Sequence, residues 1–89
     1  MNFIVLDLEW NQCPTGKSDT IGQLPFEIIE IGAIKLDEAL AIQDSFREVI
    51  RPQVYRTLHF KTREIVSLRS IDLENGRVFP EVIREFFDW

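Results

Sequence analysis

The tightest constraint on this chain lies at its start, where four apolar residues, Phe3-Ile4-Val5-Leu6, run straight into Asp7-Leu8-Glu9-Trp10. An unbroken apolar run marks a strand covered on both faces, whereas Asp is a poor strand former and needs a reason to follow directly. Read as one strand from Phe3 to Trp10, side chains alternate, and Asp7 and Glu9 leave the same face about 6.5–7 Å apart. Leu6, Leu8 and Trp10 take the other face and are the expected anchors in the core. Two hard oxygen ligands at that spacing suit Mg²⁺ or Mn²⁺, either sharing one ion or flanking two. Metal pairs about 3.5–4 Å apart are a common device for cleaving phosphodiesters. The plainer reading is that both acids lie past the buried part of the strand and are merely solvated. Asp-x-Glu by itself does not decide between the two.

Breakers divide the remainder of the chain. Asn11 to Pro25 carries Pro14, Gly16, Ser18, Asp19, Gly22 and Pro25 and reads as a long loop. Phe26 to Asp37 is rich in Ile and gives a second strand, in which Gly32 suggests a bulge or a close backbone approach. Ala41 to Arg51 gives a third strand of imperfect alternation, ended by Pro52. Short links between three successive strands imply an antiparallel meander. Thr62 then has the right chemistry to cap a helix over roughly Arg63 to Leu68. Asn75-Gly76 marks a turn. Pro80 suits the first turn of a second helix, with Val82, Ile83, Phe86 and Phe87 as its apolar stripe.

Charge and composition narrow the function classes. The 89 residues hold 15 acidic and 10 basic side chains, a formal net charge of −5. That disfavours a passive binder whose affinity comes from phosphate contacts, but not an enzyme that meets phosphate through a bound cation. Arg47, Arg51, Arg56, Lys61 and Arg63 are offered as a phosphate-facing patch or, more simply, as scattered surface charge. The single cysteine, Cys13, allows no intrachain disulfide and no Cys-based zinc site, which fits a reducing, cytoplasmic setting. No segment approaches the roughly 18 consecutive apolar residues of a membrane span. Length allows one domain at most. Glu30, set among isoleucines, is read as a buried acid with a hydrogen-bond partner or as an outward-facing residue.

With these elements in place, Phe3-Ile4-Val5-Leu6-Asp7-Leu8-Glu9-Trp10-Asn11 resembles the first exonuclease motif of the DEDDh superfamily. The spacing to Glu27-Ile28-Ile29-Glu30-Ile31-Gly32-Ala33-Ile34 is similar to that family's second strand. Leu58-His59 with Lys61-Thr62, and Phe79-Pro80-Glu81-Val82 running on to Phe86 and Trp89, continue the likeness. It is strongest to small bacterial exonucleases related to the histone-mRNA and siRNA-degrading branch.

The resemblance implies an α/β, ribonuclease H-like fold with a mixed sheet. Only its N-terminal part is expected here: a three-strand antiparallel meander and two helices, with residues 1–89 belonging to a single 3′→5′ exonuclease domain. Asp7 and Glu9 match the first two of four catalytic, metal-binding acids, with Mg²⁺ or Mn²⁺ as cofactor. Leu8 and Trp10 match the lining of the terminal-nucleotide pocket, although Trp10 also suits the core. The implied substrate is a single-stranded RNA or DNA 3′ end, and the product a nucleoside monophosphate. The family's third and fourth acids and its general-base His have no counterpart in this sequence. His59 precedes the first helix, so a surface or helix-capping role is the simpler one for it. The polypeptide alone is therefore expected to be inactive.

Two departures and one alternative belong beside that reading. The family often carries Leu-Thr-x-Ile in its first helix, with the Thr near substrate. Here Ile65-Val66-Ser67-Leu68 takes its place, and Val66 cannot donate a hydrogen bond. The family's first strand is central, flanked by a later parallel strand absent from this sequence. Its edge is expected to be open, to be covered by a homodimer or by more of a longer protein. The alternative function is a non-catalytic, shortened module that binds nucleic acid or a protein partner.

Overall fold

The computed structural model describes residues 1–15, 26–66 and 68–89. Three strands, β1 (Phe3–Gln12), β2 (Phe26–Leu36) and β3 (Ile42–Val49), form one antiparallel sheet in the order β1-β2-β3. Three helices follow, α1 (Phe60–Ile65), α2 (Ser70–Glu74) and α3 (Phe79–Asp88). The meander is as the sequence implied, with one helix more than expected. Strand β1 also runs two residues further than Trp10, taking Asn11 and Gln12 from the expected loop. The rest of that loop, from residue 16 to 25, lies outside the described residues. No described helix is long and apolar enough to cross a membrane.

The sheet has a core on each face, and a bulge decides which residue goes where. Pairing between β1 and β2 slips between Glu9 and Trp10, which face Glu30 and Ile28, so Ile29 is the extra residue. Ile31, Ala33 and Phe46 pack with Val82 of α3 on one face, and Ile28 joins them. Ile29 turns to the other face and packs with Leu58 and Leu73. An extra residue in one strand breaks the two-residue period in this way. Gly32 is not where the bulge sits. A Cβ there would meet only the Asp7 carbonyl oxygen, at an ordinary 3.8 Å.

Strand β1 is less covered than its sequence suggests. Phe3, Ile4, Val5 and Leu6 are 44 to 52% exposed on both faces, because β1 is an edge of the sheet. Leu8 does reach the core beside Ile31, but Leu6 does not anchor there, and neither does Trp10, at 51% exposed.

Local chemistry closes the turns and pins the helices. Asp37 Oδ1 accepts from the Ala39 and Ala41 amides (2.9 and 3.0 Å), which steadies the β2–β3 turn with Leu40 at φ 63°. The Asp72 carboxylate accepts the Arg69 N–H at 2.8 Å at the start of α2, which holds its pKa below the usual value. Helix α3 is fastened by an aromatic group of Phe46, Phe86 and Trp89. The Trp89 indole N–H donates to Asp44 Oδ2 at 2.7 Å, and Lys35 Nζ lies 4.5 Å from the Trp89 ring centre. Arg77 binds Glu48, Glu81 and Glu85, tying β3 to α3, and its hydrogen bonds to Glu81 and Glu85 raise its pKa further.

Two expected outcomes follow from these contacts. A Cβ on Gly76 would come within 2.8 Å of the Arg51 nitrogen and 3.0 Å of the Val49 oxygen, all backbone, so the strand end must shift to admit it. Gly76→Ala should lose about 1–3 kcal/mol of stability in a urea titration. The indole hydrogen bond lowers the Asp44 pKa, so its contribution is present above the ordinary carboxylate value and lost as pH falls through the lowered one. In a Trp10→Phe background, Trp89 fluorescence should change below about pH 4, and Asp44→Asn should remove that transition.

Candidate functional site

Asp7 and Glu9 do share a face. The register runs unbroken through both, placing Asp7 opposite Gly32 and Glu9 opposite Glu30 before the slip that follows Glu9. Side chains paired across an antiparallel sheet lie on the same side. Gly32 contributes no side chain next to Asp7, so the sheet surface beside that carboxylate stays clear. Glu30, in line with Glu9, is bound by Arg47 at 3.1 Å and is mostly covered, its side chain 16% exposed. The partnered-acid reading of Glu30 is the correct one.

Neither Asp7 nor Glu9 is tied up among the described residues, where no ion pair or hydrogen bond engages either carboxylate. No three described His, Cys, Asp or Glu side chains converge as a metal-binding group, so the two acids stand as a pair. Hard, unpaired oxygen donors on one face suit a divalent cation, and Asp7 and Glu9 would be its ligands here.

A cleft of about 390 Å³ opens between this strand and α1. Asp7, Leu8, Glu9, Trp10 and Gln12 form one wall; Lys61, Thr62, Ile65 and Val66 form the other. Leu8 and Trp10, the sequence candidates for a nucleotide lining, are both in that wall. The Trp10 ring stands 6.0 Å from that of Phe26, centre to centre, and keeps half its surface open. Arg51 and Arg56 line a separate recess with Glu74, so the suggested basic patch does not form as one surface with Lys61.

Helix α1 is held in place by two side chains that sequence reasoning had assigned no task. Asn11, fully buried, donates to the Tyr55 and Thr57 carbonyls (3.1 and 3.0 Å) and accepts from the His59 N–H (2.9 Å). Its cross-strand neighbour Glu27 gathers the amides of Gln53, Val54 and Tyr55 at 2.7 to 3.2 Å. Together they fix the irregular segment 53–59 against the sheet, and α1 starts where that segment ends. His59 is the N-cap: its Nδ1 accepts from the Lys61 amide at 3.1 Å, and its ring stacks on Phe60. Thr62, expected as the cap, instead lies buried inside the helix. His59 thus has a capping role and is not part of the cleft wall.

Solved structures of nucleases share this fold. The chain superposes on the nuclease domain of 3'hExo, a DEDDh family member bound to rAMP, with TM-score 0.80 over 99% of its length at 21% identity. A 3'-exonuclease described in 3'-end specific recognition of histone mRNA stem-loop gives 0.79 at 20% identity, and cell-death related nuclease 4 (CRN-4) gives 0.80 at 20%. The fold is that of part of these nuclease structures. The chain spans 42% of the 3'hExo nuclease domain and 29 to 37% of the other two chains. No family model and no curated protein matches the sequence.

The Asn11 contacts make a sharp expectation. Asn11→Ala leaves the part-buried His59 amide and the Tyr55 and Thr57 carbonyls without this partner and should cost about 1–3 kcal/mol. Hydrogen exchange should quicken at His59 and Lys61 before it does at Ile31, whose amide lies in the sheet core.

Proposed function

We propose that the chain is the metal-binding portion of a 3′→5′ exonuclease domain, which hydrolyses phosphodiester bonds at nucleic-acid 3′ ends and releases nucleoside monophosphates. The observation that carries this reading is the unpaired Asp7–Glu9 couple on one wall of a nucleotide-sized cleft, within a nuclease fold. Asp7 and Glu9 would hold Mg²⁺ or Mn²⁺, which when bound supplies a polarised water and offsets charge on the phosphate. Leu8 and Trp10 border the cleft at the open edge of β1, with the Leu8 side chain packed on the α3 side, and would contact the terminal nucleotide from that edge. Glu30 takes no part as a ligand, because Arg47 neutralises it. Its paired charge also spares Glu9 a bare carboxylate directly opposite, where like charges repel.

Single-stranded RNA or DNA ends are the proposed substrates. The open edge of β1 would be covered by a second copy or by further chain of the same domain. Two carboxylates cannot hold a preorganised pair of ions or supply a general base, so the 89 residues alone should release no mononucleotides.

Calorimetric titration with Mn²⁺ separates this reading from a merely solvated acidic pair. Wild-type chain should bind the ion weakly, and Asp7→Asn should weaken it at least tenfold with an unchanged melting temperature. Equal binding by the two proteins would sink the assignment.

A further inference from the structure

We propose that the Thr62 hydroxyl, with the Lys61 ammonium beside it, is a phosphate-binding element of the cleft, donating to an oxygen of the bound nucleotide. The idea rests on the nuclease reading above and adds a contact on the wall opposite Asp7 and Glu9. Thr62 is 5% exposed and lines the cleft from α1. Among the described residues its hydroxyl has no hydrogen-bond partner, although its main-chain oxygen accepts from Val66. A threonine within a helix ordinarily bonds back to the carbonyl four residues earlier. Here that carbonyl, Leu58, accepts from the Arg63 guanidinium at 3.3 Å instead. No buried side-chain oxygen among the described residues lacks a partner, so this hydroxyl is one that solvent reaches, and the cleft is the open space that Thr62 lines.

Lys61 sets the chemistry of the ligand that such a hydroxyl would meet. It is the one cation in the cleft wall, exposed and free of ion pairs among the described residues. A hydroxyl and an ammonium on adjacent residues both donate, which suits an anionic oxygen better than a sugar hydroxyl. Val66, one turn further along, also lines the cleft but offers only methyl groups. Thr62 is therefore the polar group that α1 turns toward the strand carrying the acids.

The test is titration with adenosine 5′-monophosphate and with adenosine, both in excess Mg²⁺. Thr62→Val should weaken the monophosphate roughly tenfold, the loss of about one hydrogen bond to a charged acceptor, and leave adenosine unchanged. Thr62→Ser should stay within about twofold of wild type, since it keeps the hydroxyl. Unchanged monophosphate binding by Thr62→Val, with binding still lost in Asp7→Asn, would overturn this contact and leave the nuclease reading standing. No binding of the monophosphate by wild type would overturn both. Should Thr62→Val fail to fold, the Thr62 methyl resonance of wild type decides: a shift with the monophosphate but not with adenosine supports the contact, and no shift rejects it.

Discussion

The cleft exists because Asn11 and Glu27, neighbours across two strands, bind one irregular stretch of backbone. Between them they meet the amides of residues 53, 54, 55 and 59 and the carbonyls of 55 and 57. A segment without regular structure must place its backbone polar groups somewhere, and here the sheet supplies side chains for the purpose. The carboxylate of Glu27 sits in the concavity made by three successive N–H groups, an anion site filled from within the chain. Without this pair α1 would have no fixed start, and the acids of β1 would face open solvent.

The bulge at Ile29 does the matching work on the sheet. It sends Ile28 and Ile31 to the α3 side and Ile29 to the side of Leu58 and Leu73, so one short strand serves two cores. It also comes directly after the Glu9–Glu30 pair in the register. Up to that point Asp7 and Glu9 keep a common face, and beyond it Asn11 and Glu27 are brought opposite one another. The slip therefore separates the stretch of β1 that carries the unpaired acids from the one that holds segment 53–59.

Much of this was legible in the residues. Two-residue periodicity placed Asp7 and Glu9 together, and turn residues marked the meander. What could not be read were choices between equally allowed partners. Thr62 has the preferred chemistry of a cap, yet His59 takes that place because Asn11 grips its amide, a contact made 48 residues away in sequence. Gly32 invited a bulge, but the extra residue is an isoleucine, placed there by two competing cores that no local pattern announces. The apolar opening of β1 promised cover on both faces, and the described residues supply only part of it. Trp10 followed the same logic and turned out to stand half in solvent.

The acids of the sheet sort themselves by what they meet. Glu27 meets amides, Glu30 an arginine, Asp44 an indole and Glu48 the Arg77 guanidinium. Asp7 and Glu9 meet nothing comparable among the described residues, although they lie two positions apart on one face of a chain already carrying −5. Like charges held about 6.5–7 Å apart repel, and nothing in the packing of β1 requires both to be acidic. The neighbouring Gly32 keeps bulk away from Asp7, and Arg47 spends its charge on Glu30 rather than on Glu9. The fold neutralises its other sheet acids and leaves this couple bare, and the proposed cation site rests on that difference.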